Sequence, residues 1–220
     1  NEMNQSVELS WTVPDTDGGD PNISYRVLQV ENYFLGSYSQ VVCATAQTDC
    51  TVPNLTNGVT YTFRVYAENS AGRGPLANFP AAKPRTIPSA PLISSVQPDD
   101  EKIIVNWSEP YSDGGDSISV YSVQLGPGGQ TCRVLSGLLY GGLYGGPFSC
   151  TFDGLTNGDE YSISIKAKND AGWGPSVETT GAPGTTPSAT VVTQVVSNNA
   201  GEATVSWETP PSDGGRQITG

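Results

Sequence analysis

Four cysteines carry the most definite chemistry in the sequence: Cys43, Cys50, Cys132 and Cys150. Seven residues separate the first two, close enough for a bridge across a hairpin, and eighteen separate the others. Bridges Cys43–Cys50 and Cys132–Cys150 would close loops worth about 2.5 and about 3 kcal/mol by chain entropy. The alternative is four free buried thiols. Zinc is disfavoured because the chain has no histidine and no Cys-x-x-Cys. Without histidine, with the cysteines paired and the acids scattered, no nucleophile has a base beside it. No catalytic residue is expected, and the segment reads as a non-enzyme.

Asn-x-Ser/Thr acceptors stand at Asn4, Asn22, Asn54 and Asn106. Asn106 precedes Trp107, so an inward tryptophan would turn the asparagine outward. Asn22 and Asn54 fall in loops and are the better acceptors. Asp15-Thr-Asp17-Gly-Gly-Asp20 has the look of a calcium loop's first half. The matching Asp113 and Asp213 lack the acidic partner two residues earlier, so no metal and no cofactor is expected here.

The elements that must position these residues recur. Trp11-Thr-Val-Pro14-Asp-Thr-Asp17-Gly18-Gly19 returns as Trp107-Ser-Glu-Pro110-Tyr-Ser-Asp113-Gly114-Gly115 and as Trp207-Glu-Thr-Pro210-Pro-Ser-Asp213-Gly214-Gly215. A period near one hundred residues means tandem modules. A second phrase, Leu55-Thr-Asn57-Gly58 through Tyr61, Asn69 and Gly72 to Pro75, returns one hundred residues later from Leu155 to Pro175. Val7, Leu9 and Trp11 alternate with Glu8 and Ser10, and Ile103, Val105 and Trp107 keep the same spacing of two, as do Tyr61, Phe63, Val65 and Ala67. Period two argues half-buried strands, and no sustained helical period competes with it. Strands punctuated by Asn-Gly, Gly-Gly and Pro predict an all-β fold of tandem antiparallel sandwiches. Tyr61 and Tyr161 stand where a hydroxyl reaches back to upstream backbone.

These phrases resemble the fibronectin type III family over essentially the whole chain. The resemblance rests on the strand tryptophan, the Asp-Gly-Gly turn, a leucine six residues before a tyrosine, and the Asn-x-x-Gly-x-Gly loop. It implies the immunoglobulin-like sandwich, and Asp-Gly-Gly as turn chemistry with glycines at positive φ. It also implies that the loop holding Arg73 and Trp173 is a place of recognition. Arg73 is followed by Gly74-Pro75 rather than Gly-Asp, so the integrin tripeptide is absent. Trp173 is expected to pack toward the neighbouring module.

The module boundaries read as 1–86, with a first strand apparently missing, 87–186 complete, and 187–220 as the start of a third. Proline-rich linkers, Pro80 to Pro91 and Gly181 to Pro187, should be extended and semi-rigid. Signal, anchor or partner domains are expected outside this window. The net charge of −12 disfavours nucleic acid and anionic membranes as partners. No apolar run is long enough to cross a bilayer.

The second module carries an apolar insertion with Leu138, Leu139, Tyr140, Leu143, Tyr144 and Phe148, bracketed by Cys132 and Cys150. Exposed aromatic loops mark contact surfaces. The competing reading folds the same residues over the sheet edge. Together these features predict a structural repeat segment of a large extracellular protein in a cell-surface or filamentous assembly. Its partners would be other protein chains or copies of itself. The alternatives are a ligand-binding ectodomain of an adhesion or receptor protein, and spacer modules of a secreted enzyme.

Overall fold

The computed structural model describes residues 1–33, 36–136, 148–198 and 201–219. Among these no helix occurs and the strands pair antiparallel. The chain divides into two compact units. One is Asn1–Ser89 with Ser112–Ile118 and Lys168–Trp173; the other is Ala90–Tyr111, Ser119–Ala167 and Gly174–Gly220.

The first sandwich is built from β1 (Glu2–Met3), β2 (Ser6–Ser10), β3 (Ser24–Tyr33), β4 (Gly36–Thr45), β5 (Asp49–Val52), β6 (Thr62–Asn69), β7 (Gly72–Arg73) and β8 (Ala77–Asn78). One sheet runs β1-β2-β5 and the other β4-β3-β6-β7, with β8 also on β6. Alternation does the packing. Val7, Leu9, Cys50 and Val52 come from one sheet, and Tyr25, Val27, Phe63 and Val65 from the other; all are buried in one core. Trp11 caps it edge-on to Tyr25, with ring centroids 5.4 Å apart.

The second sandwich repeats the plan with β9 (Leu92–Asp99), β10 (Lys102–Ser108), β11 (Val120–Gly126), β12 (Gln130–Leu135), β13 (Phe148–Asp153), β14 (Tyr161–Asn169), β15 (Gly172–Trp173) and β16 (Val177–Gly181). Its sheets run β13-β10-β9 and β12-β11-β14-β15, with β16 also on β14. Trp107 is fully buried against Tyr121 and Phe148, at 5.9 and 6.0 Å. The third repeat supplies β17 (Val191–Asn198) and β18 (Glu202–Glu208), a two-stranded sheet whose Trp207 is 64% exposed.

Both cysteine pairs are bridged, Cys43 to Cys50 and Cys132 to Cys150. Each bridge crosses from one sheet to the other, β4 to β5 and β12 to β13, rather than closing a simple hairpin. The two bridges are equivalent in register. Cys43 pairs with Val27 and Cys132 with Val123, each two residues beyond its strand tyrosine. Cys50 faces Leu9 and Cys150 faces Val105, each two residues before its tryptophan.

Candidate interaction site

The Asp-Gly-Gly turn is made the same way in all three copies. The Ser112 hydroxyl accepts the Gly114 N–H at 3.1 Å, and Asp113 Oδ1 accepts the Gly115 N–H at 2.8 Å. Ser212 and Asp213 repeat this at 3.1 and 2.9 Å, Thr16 and Asp17 at 3.2 and 2.8 Å. The carboxylates therefore serve the turn, as the sequence suggested for Asp17. Asp20 is used too: its two oxygens accept from Asn22 N–H at 2.9 Å and from the Ser70 hydroxyl at 2.7 Å. The Ser70 hydroxyl first, then the Asn22 and Ser70 amides, hold the Asp20 carboxyl down at about 2. Among the described residues no acidic or cysteine cluster is suited to a metal ion.

The Asn-Gly turn is held by the tyrosine four residues on from the asparagine. Tyr61 and Tyr161 hydroxyls accept the Thr56 and Thr156 N–H, both at 3.0 Å. The turn asparagine then clamps the first hairpin of its own sandwich. Asn57 accepts the Gln5 N–H and donates to Asn4 Oδ1, both at 2.8 Å; Asn157 does the same with Glu101 and Asp100 at 2.8 Å. The Gly58 N–H donates to the Pro84 carbonyl at 2.8 Å, and Gly158 to Pro183 at 2.9 Å.

In the first unit these turns meet backbone to backbone. A Cβ on Gly58 would stand 3.1 Å from Gly115 Cα. The second unit holds the same approach, with Gly158 and Gly215 also at 3.1 Å. The linker is stitched along the receiving turn. Thr86 N–H donates to the Gly114 carbonyl and Ser89 N–H to the Ser112 carbonyl, both at 2.9 Å. The buried Asn169 Nδ2 donates at 2.7 Å both to the Thr86 carbonyl and to the Asp113 carbonyl. In the second unit Thr185 and Ser188 donate to Gly214 and Ser212 at 2.8 and 3.0 Å. A Thr-Xxx-Pro-Ser tetrapeptide is common to both linkers: Thr86-Ile-Pro-Ser89 and Thr185-Thr-Pro-Ser188.

Charge is arranged around this backbone contact. The Arg85 guanidinium lies 3.0 Å from Asp116, 3.3 Å from Glu2 and 3.8 Å from Asp170. In the second unit Gly184 takes the place of Arg85 and Arg216 that of Asp116. A Cβ on Gly184 would stand 3.1 Å from Arg216 Nε, so the glycine makes room for the exchanged arginine. Partly exposed ion pairs are worth about 1 kcal/mol or less each. They orient the contact, while close backbone approach and hydrogen bonds hold it. Arg85 gave no signal in the sequence beyond one basic residue in a proline-rich stretch, and Asn57 and Asn157 read only as turn residues.

The remaining sequence candidates are dispersed. Arg73 stands over the Tyr66 ring at 4.1 Å, and Lys168 Nζ lies 5.8 Å from the Trp173 ring centroid. Ile87 Cγ2 lies 3.4 Å from where a Cβ of Gly172, next to Trp173, would be. Asn4, Asn22 and Asn54 are exposed; Asn4 accepts from Asn57, and Asn22 Nδ2 donates to Asp20 at 3.0 Å. Asn106 is half-buried and donates to the Ser95 hydroxyl on the adjacent strand at 3.0 Å. Leu138, Leu139, Tyr140, Leu143 and Tyr144 lie outside the described residues. Phe148 is corrected: it is 3% exposed, opens β13 and packs 4.5 Å from Tyr121. Pairing of Phe148 with Trp107 across β10 places its ring in the core, so it is no part of a contact loop.

A family model described as Fibronectin type III domain matches residues 1–80 and 88–181. Fibronectin type-III domain-containing protein 3A of Homo sapiens is 28% identical over 217 residues, which cover 95% of this chain and 17% of that protein. Endoglucanase B of Cellulomonas fimi is 31% identical over 211 residues, covering 88% of this chain and 18% of that protein. The chain therefore spans less than a fifth of either relative. Among solved structures, the FN1-FN3 domains of chicken CNTN1 align over 83% of this chain and 64% of theirs, with 18% identity and a TM-score of 0.38.

Proposed function

The chain belongs to the fibronectin type III family, and on that footing we propose that it is a structural repeat segment of a large extracellular protein. It acts by rigid stacking of modules and by protein–protein contacts in a cell-surface or filamentous assembly. The observation that carries this reading is one joint built twice, with Gly58 against Gly115 and Gly158 against Gly215. Each joint is stitched by a Thr-Xxx-Pro-Ser linker, through Thr86 in one and Thr185 in the other. A flexible tether does not need hydrogen-bonded linker amides or glycines chosen for close approach.

Two disulfides support an oxidising compartment, hence an extracellular or cell-surface setting with glycan at the exposed asparagines. Partners are other protein chains or copies of this one. The charge of −12 repels nucleic acid, and no helix among the described residues is long and apolar enough to cross a membrane. The segment itself carries no catalysis in this reading. A second reading, spacer modules of a secreted enzyme, is favoured by the similarity to Endoglucanase B.

Amide hydrogen exchange on the whole chain tests the stacking. Thr86, Ser89, Thr185 and Ser188 should be protected like strand amides. Exchange at the rate of an unstructured peptide would reduce the segment to tethered beads.

A further inference from the structure

The first sandwich presents the receiving half of the same joint. Its Asp-Gly-Gly turn has the same internal bonds as the other two, from Thr16 and Asp17. The turn faces a cavity of about 290 Å³ lined by Asp17, Gly18, Ile23, Asn69, Gly72 and Arg73. In the second copy the same place holds linker backbone. A Cβ on Gly114 would collide with the Thr86 carbonyl, and one on Gly214 with the Thr185 carbonyl. A Cβ on Gly18 would meet only the Asn69 amide nitrogen of its own sandwich, at 3.4 Å. Asn69 is the counterpart of Asn169. Asn169 spends its two amide hydrogens on Thr86 and Asp113, while Asn69 donates to Asp17 at 2.7 Å. Asn69 thus keeps the second hydrogen in the position that receives a linker carbonyl.

From these observations we infer that this groove is a docking site for the C-terminal linker of another module of the same kind. The segment it takes is an extended Thr-Xxx-Pro-Ser preceded by a basic residue. The threonine N–H would donate to the Gly18 carbonyl, and its carbonyl would accept from Asn69. The serine would pair with Thr16 as Ser89 does with Ser112. The basic residue follows from charge: Asp20 stands one residue past Gly19, where Asp116 stands past Gly115 to meet Arg85. This inference rests on the stacking reading and names the partner chemistry for one further joint.

The probe is the synthetic peptide Lys-Pro-Arg-Thr-Ile-Pro-Ser-Ala, copied from residues 83–90 and added to the isotope-labelled 220-residue chain. Amide shifts should be confined to Thr16–Asp20 and Asn69–Arg73, saturating with millimolar peptide, about the affinity of a few hydrogen bonds. A peptide with proline for the threonine keeps the shape but lacks the donor, and should bind about tenfold more weakly. Glutamate for its arginine should also weaken binding, more so at low salt. The inference is overturned by no shifts at about 5 mM peptide, by shifts elsewhere, or by equal binding of the proline peptide. Protection of the Thr86 and Thr185 amides in the same samples reports the built joints. A failed docking site is thereby told apart from failed stacking.

Discussion

Gly115 and Asn57 touch without any room between them: a Cβ on Gly115 would lie 2.6 Å from the Asn57 carbonyl carbon and 2.8 Å from its Cβ. Gly115 has φ +85 and its counterpart Gly19 has φ +88, yet a Cβ on Gly19 would meet nothing within 4 Å. The pair separates conformational strain from close approach. Gly19→Ala should cost about 1 kcal/mol, the left-handed penalty alone. Gly115→Ala should cost about 2–4 kcal/mol locally, because backbone must move as well. Hydrogen exchange at Thr86 reads the difference; equal effects of the two substitutions would deny that the joint is close-packed.

Arg85→Ala should lower the stability of the first unit by about 1 kcal/mol or less, and the loss should shrink as salt rises. Denaturant unfolding at low and high ionic strength checks this. A salt-independent loss would assign the effect to the arginine's alkyl stem rather than to Glu2, Asp116 and Asp170.

Asp20 should titrate with a midpoint at about 2 rather than the ordinary 3.8. The depressed value means that its contribution to stability is present above pH 3.8 and lost as pH falls from there through about 2. Carbon-detected titration of the carboxyl measures the midpoint. Ser70→Ala removes the largest cause and should move it upward; no movement would remove the Ser70 hydroxyl from the account.

Tyr121 is fully buried, and its hydroxyl finds no hydrogen-bond partner among the described residues. Burial pushes its ionisation upward. Tyr121→Phe deletes the orphan oxygen and keeps the ring against Phe148, so stability should hold or rise by up to about 1 kcal/mol. Tyr121→Ala should cost about 3–5 kcal/mol. A large loss from the phenylalanine variant would reveal a partner for that hydroxyl.

Much of this architecture was legible because burial follows alternation. Val7, Leu9, Ile103, Val105 and Trp107 all point inward as period two requires. What escaped depended on comparing loops whose lengths change together. Cys43 and Cys132 stand eighteen and eleven residues past their tyrosines, so spacing alone does not match them. The hairpin between β3 and β4 is longer than that between β11 and β12, which hides their common register. Phe148 was misread because the glycine-rich run before it has no strand signal, so the strand start was invisible. Asn22 stands where the second copy has Ile118, three residues after the second glycine. The apolar role passes one residue on, to Ile23, which packs against the core. The joint is hard to read from sequence because, Asn169 apart, most of its holding atoms are backbone, and glycines that admit another chain look like glycines that only turn.

The sheet-to-sheet disulfides have a mechanical meaning for any protein pulled from its ends. Segments between bridged cysteines cannot pay out when a sandwich is torn open. Seven residues are locked in the first and eighteen in the second, shortening the released length by about 25 and about 65 Å. Neighbouring sandwiches of one design thus become springs of different reach, and reduction alone would lengthen both.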